Sequence, residues 1–156
     1  MTLFHVLAVG EVVLSGAAGY FFAGMSWESG VLFLFAALVA NIRAGKLAKK
    51  KQNSFVGIIN RISDTLIFTG VAVGTRGFLA PGLFVLFLVV FVPHITCKIR
   101  ELRGQDSKDV LRKYRIYALM LAGLLETVCF GAIYAGLGAI IGLILMEFVS
   151  VLRGKK

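Results

Sequence analysis

Four acids interrupt stretches that are otherwise apolar: Glu11, Asp64, Glu126 and Glu147. An ionisable group inside a membrane span is expensive, and the chemistry open to it is proton exchange, pairing with a base, or lining an ion path. Asp64 follows Arg61 by three residues and Asn60 by four, a spacing that sets all three on one helix face. Its structural reading is an ion pair, with Arg61 or with a basic residue of the preceding span. Glu11 and Glu126 lie deeper in their apolar stretches. Each reads as a polar tie between helices or a protonated core acid; the functional alternative is the coupling acid of a transporter. Glu147 is expected to pair near the end of the last span.

Other reactive residues offer less. His5 and His94 do not stand in a set of Cys, Asp and His residues at metal-ligand spacing; His94 has a single such neighbour, Cys97. Cys97 and Cys129 are too few for a disulfide framework or a zinc ribbon and read as inert thiols. GKLAKK, from Gly45, lacks the leading glycine and the hydroxyl residue of a phosphate loop. No Gly-x-Ser-x-Gly elbow and no His-Glu-x-x-His is present.

The elements that must carry these residues follow from composition. The 156 residues are 58% hydrophobic and 16% charged. Soluble domains are roughly 45–50% apolar and about 25% charged. So few charges could not cover a soluble surface, which excludes a soluble enzyme, a disordered tail and a disulfide scaffold. The chain reads as an all-α, polytopic membrane protein, a single transmembrane domain over 1–156. Hydropathy places six spans: Leu3 to Phe22, Val31 to Asn41, Phe55 to Val73, Phe78 to Thr96, Tyr117 to Tyr134 and Leu137 to Leu152. The second is short, and the basic run NIRAGKLAKKKQ is expected to continue its helix into water, with Asn53 and Ser54 suited to cap the next. Pro93 is expected to bend or end the fourth span. Gly70 and Gly74, and Gly138 and Gly142, form GxxxG pairs that permit close packing, within the chain or across a dimer. The start lacks the basic segment of a signal peptide, so none is expected.

Every lysine and arginine except Arg76 falls at one end of the spans. By the positive-inside rule that end is cytoplasmic, with both termini inside. The net charge of +9 then reflects topology, helped by anionic lipid, rather than nucleic-acid binding, for which no basic domain interleaved with aromatics exists. Size and the lack of targeting signals point to the plasma membrane of a prokaryote.

One constellation is more specific. From Asn41 the chain reads NIRAGKLAK, and from Gly57 it reads GIINRISDT. This resembles the signature of the CDP-alcohol phosphatidyltransferases, D-x-x-D-G-x-x-A-R followed after a spacer by G-x-x-x-D-x-x-x-D. VLRKYRIYALMLAGLL, Val110 to Leu125, looks like that family's basic entry into its fifth helix. The resemblance implies six spans, usually as a dimer. It also implies transfer of a phospho-group from a CDP-linked donor to an alcohol with release of CMP. Mg²⁺ or Mn²⁺ would be held by carboxylates of the second and third helices, and the last aspartate would take the proton of the attacking hydroxyl.

Carried over by position, Gly45 and Ala48 match and Gly57 matches with a shortened interval; these and Lys49, which replaces the arginine, would contact the nucleotide. Asp64 matches the last acid and would be the catalytic base. Asn41, Ala44 and Asn60 stand at the other three acids, so the cation would rest on Asn41, Asn60 and Asp64. Arg112 and Arg115 would hold substrate phosphate. Between Val31 and Phe78, Asp64 is the only Asp or Glu. Amides bring no charge, which leaves open a working transferase with unusual metal use and a catalytically silent member that binds such ligands. The partners implied are a CDP-linked lipid or alcohol, membrane lipid, and either a second copy or an active paralogue. The alternative is a small dimeric transporter, proton-coupled through Glu11 or Glu126.

Overall fold

A computed structural model describes residues 3–48, 53–75, 79–104 and 111–154, and the described residues form helices joined by turns. The helices are α1 (Leu3–Ala23), α2 (Trp27–Leu47), α3 (Asn53–Gly74), α4 (Leu79–Leu102), α5 (Arg112–Glu126) and α6 (Ala132–Leu152). The chain is an all-helical membrane protein: α1, α2, α3 from Phe55 and α6 are each long and apolar enough to cross a bilayer. A 21-residue helix such as α1 is about 31 Å long, which matches a hydrocarbon core of about 30 Å. Many outward side chains are large and apolar, among them Val13, Leu32, Phe35, Leu121 and Met146.

The helices fall into two compact units, Met1–Gly82 and Leu83–Lys156. In the first, α1 packs against both α2 and α3. The turn from α1 to α2 closes with Ser26 N–H on the Phe21 carbonyl at 2.9 Å and Met25 N–H on the Phe22 carbonyl at 3.0 Å. Met25, with φ 58°, takes the left-handed position that glycine usually fills, although Gly24 stands beside it. The contact of α1 with α3 is a glycine seam. A Cβ on Gly70 would lie 2.0 Å from the Gly19 carbonyl oxygen, one on Gly19 2.4 Å from that of Leu66, and one on Gly74 2.1 Å from that of Phe22. Only glycine lets the backbones approach so closely. The Phe4 ring meets Phe55 at one end of the seam, and Phe22 meets Gly74 at the other. Contacts advance together along both helices, so α1 and α3 run parallel.

In the second unit, α5 and α6 form an antiparallel hairpin, with Gly136 set against Ala122. Arg100 of α4 pairs with Glu147 of α6 at 3.0 Å, and the Arg103 guanidinium donates to the Val151 carbonyl. Glu147 is therefore paired, as expected.

Pro93, expected to bend or end its span, does not end it, since α4 continues to Leu102. Two expectations about the elements are corrected. The fifth span is not Tyr117 to Tyr134: α5 starts at Arg112, stops at Glu126, and a turn through Gly131 (φ 91°) precedes α6. Glu126 is thus at a helix end rather than deep in a span. Its carboxyl accepts the N–H of Gly131 at 3.0 Å and of Ile133 at 2.7 Å, serving otherwise unpaired donors at the start of α6. Finally, α2 ends at Leu47 with Ala48 in extended conformation, short of the full basic run. The rest of that run, Lys49 to Gln52, lies outside the described residues.

Candidate functional site

The three helices of the first unit each bring polar side chains to one level. On α1, Glu11 and Ser15 are four residues apart, both buried. On α3, Asn60, Ser63 and Asp64 share a face by the same spacing, with Ser63 and Asp64 buried. Asn41 of α2 joins the two sets. Its Nδ2 donates to Glu11 Oε2 at 2.8 Å and to Asn60 Oδ1 at 2.6 Å.

The parallel register of α1 and α3 explains the meeting. Asn60 is seven residues into α3, about 10 Å of rise; Glu11 is eight residues into α1, about 12 Å; and Asn41 is six residues from the end of α2, about 9 Å. The cluster therefore sits about a third of the way in from the end of the unit that carries exposed Arg43, Lys46 and Arg61. Glu11 is 2% exposed and Asp64 8%. Ser15 and Ser63 are buried, and their hydroxyls make no hydrogen bond among the described residues. A polar group buried without a partner costs free energy, so such hydroxyls mark a place where an additional ligand would be favoured.

The structure thus brings together Asn41 and Asn60, which the motif reading placed in one site, with Asp64 one turn beyond Asn60. Ala44, at the position of the second motif acid, is 2% exposed, so that position faces the protein interior. Gly45 and Gly57 are on α2 and α3 near the same end, and a Cβ on either would meet nothing within 4 Å among the described residues. They do not serve helix packing as Gly19, Gly70 and Gly74 do, which leaves backbone open to a ligand. Ala48 is half-buried where the chain leaves α2, and Lys49 lies outside the described residues. Arg112 and Arg115 open α5 in the second unit, Arg112 half-buried and Arg115 buried.

The motif reading missed Glu11 as a neighbour of Asn41, and it missed Ser15 and Ser63 entirely. The i, i+4 pair Glu11/Ser15 and the i, i+3 pair Asn60/Ser63 were available as signals of polar faces. Nothing local said that those faces meet.

The family resemblance implies Mg²⁺ or Mn²⁺, and the donors present can be compared with what such ions take. Among the described residues, no three His, Cys, Asp or Glu side chains gather. The cluster instead offers carboxyl, amide and hydroxyl oxygens, with two hydroxyls lacking a hydrogen bond. An all-oxygen set of this kind is compatible with a hard divalent cation. No protein family, characterised protein or solved structure matches the chain.

Proposed function

We propose that this chain is a membrane protein of the CDP-alcohol phosphatidyltransferase type, binding a CDP-linked donor at the basic end of the first unit and transferring its phospho-group to an alcohol. The observation that carries this reading is the 2.6 Å contact of Asn41 with Asn60. It joins one residue of each motif half, with Asp64 one turn beyond Asn60 and Gly45 and Gly57 towards the basic end, which supports reading them as one site. Six spans, basic ends in the cytoplasm and a dimer, with itself or with an active paralogue, belong to the same proposal.

The chemistry assigned to the residues is limited. The acceptor hydroxyl oxygen forms a bond to the donor's distal phosphorus, the bond from that phosphorus to the bridging oxygen breaks, and CMP leaves with that oxygen. Asp64 receives the hydroxyl proton. Gly45 and Gly57 admit the nucleotide close to the helix backbone, and the exposed bases Arg43, Lys46 and Arg61 raise the local concentration of the polyanionic donor. A divalent cation, when bound, would neutralise pyrophosphate charge; Asn41, Asn60 and Asp64 are the motif residues that would hold it.

The test is CMP release from a panel of CDP-linked donors and alcohols, with and without Mg²⁺ or Mn²⁺, beside Asp64→Asn. Metal-dependent release lost in that variant is the expected result. Saturable donor binding with no release would make the chain a silent member of the type, and neither binding nor release would overturn the proposal. The transporter reading is less well supported, because Glu126 caps α6 and Glu11 is engaged by Asn41.

A further inference from the structure

We propose that the outward face of α5 is a binding surface for an anionic phospholipid, with Lys113 holding the phosphate and the leucines further along the helix lying against an acyl chain. The inference needs α5 to enter the bilayer at its basic end, as the proposed topology has it, and does not depend on the transfer chemistry.

The helix itself defines the face. Arg115, Ile116, Leu119, Ala122 and Gly123 are buried, and their spacing sets them on one side of α5. The opposite side carries Lys113, Tyr114, Tyr117, Leu121, Leu124 and Leu125, all exposed, the tyrosines and leucines by 46 to 60%. In a membrane protein such a face is covered by lipid or by protein.

Its chemistry changes along its length in the order that a phospholipid presents. A cation and two phenols come first, and beyond Tyr117 these residues are leucine alone. From Lys113 to Leu125 the helix rises by about 18 Å, close to one leaflet's share, about 15 Å, of the hydrocarbon core. The Lys113 ammonium lies 5.0 Å from the centroid of the Tyr114 ring, so its charge is held at the outer end of the face. A lysine there keeps its stem in apolar surroundings and its charge among headgroups. Tyrosine suits the same level, because its ring is apolar and its hydroxyl finds polar partners, which phosphate and ester oxygens supply.

Charge decides between lipid and a second copy of the chain. From Lys113 to Leu125 there is no Asp or Glu. Two copies meeting on this face about a two-fold axis along the membrane normal would bring like charges together, with no acid of the face to offset them. An anionic headgroup is complementary to the lysine instead. The surface is also distinct from the substrate-phosphate assignment that the resemblance implies, since Arg115 belongs to the buried side.

The test places a reporter on the face. Leu121→Trp in a Trp27→Phe background leaves one tryptophan, at the middle of the face. The purified full chain is reconstituted in vesicles of equal phosphatidylglycerol and phosphatidylcholine, one or the other carrying brominated acyl chains, and quenching by each is compared. Phosphatidylglycerol should occupy the face in preference by about fivefold, the contribution of one lysine near an anionic surface. Lys113→Gln should abolish the preference. Equal quenching by the two lipids overturns the inference, and so does a preference that Lys113→Gln leaves unchanged. Quenching by neither lipid would show that protein covers the face and would overturn it as well. If the reporter variant does not fold, native mass spectrometry of the unaltered chain offered the same lipid mixture decides. Retention of phosphatidylglycerol over phosphatidylcholine, reduced in Lys113→Gln, is expected, and identical adducts with and without the lysine overturn the inference. Neither readout involves CMP release, so a chain without transfer activity would leave this inference standing.

Discussion

Asn41 shows how much one amide can organise within lipid. Its nitrogen reaches two helices at once, and no aliphatic residue could tie Glu11 to Asn60. Hydrogen bonds between membrane helices contribute about 0.6 kcal/mol on average and up to about 1.7 kcal/mol, because the separated helices also find partners. Asn41→Leu removes both bonds and should therefore destabilise the chain by about 1–3 kcal/mol, measured by unfolding in mixed micelles of mild detergent and dodecyl sulfate. Unchanged stability would mean that the amide does not hold the helices together. Asn60 and Asp64 could be assigned to one face from their spacing alone, since that spacing is a property of a single helix. That Glu11 would face Asn41 could not be assigned in this way.

Among the elements, the two GxxxG pairs look alike as sequence but differ in use. Gly70 and Gly74 line the seam of α1 and α3, where an added Cβ would strike backbone at 2.0 and 2.1 Å. Gly138 and Gly142 on α6 would meet nothing within 4 Å among the described residues. Gly70→Ala should thus cost about 1–3 kcal/mol, as overpacking does. Gly138→Ala should be neutral or stabilising by up to about 1 kcal/mol, because alanine has the higher helix propensity. Equal effects of the two substitutions on Tm would remove the seam as the distinguishing feature. Pro93 and Glu126 make a related point. A proline inside a helix need not end it, as α4 runs on past Pro93, and an acid that interrupts an apolar stretch can mark a helix end rather than a buried charge.

For the molecule as a whole, the proposed topology places the turn between α5 and α6 on the face opposite the basic ends, since α5 enters with Arg112, Lys113 and Arg115 and leaves with Glu126. Cys129 is exposed in that turn, between Val128 and Phe130, and Cys97 is half-buried in α4. In a Cys97→Ser background, a membrane-impermeant maleimide should label Cys129 from outside intact cells. Labelling that needs permeabilisation would reverse the assigned orientation. Composition and hydropathy by themselves determined that the chain is helical and membrane-embedded, because the cost of exposing so much apolar surface to water does not depend on how the helices pack. Spacing determined which polar residues share a face, because it is set by the pitch of one helix. Only the tertiary structure decided which faces meet: that Glu11 lies against Asn41, thirty residues away, that one glycine pair is spent on the α1–α3 seam, and that Ser15 and Ser63 are buried beside the acids. Those outcomes follow from the register of the α1–α2 hairpin and of the parallel α1–α3 pair at its glycine contacts, relations between segments that no single segment encodes.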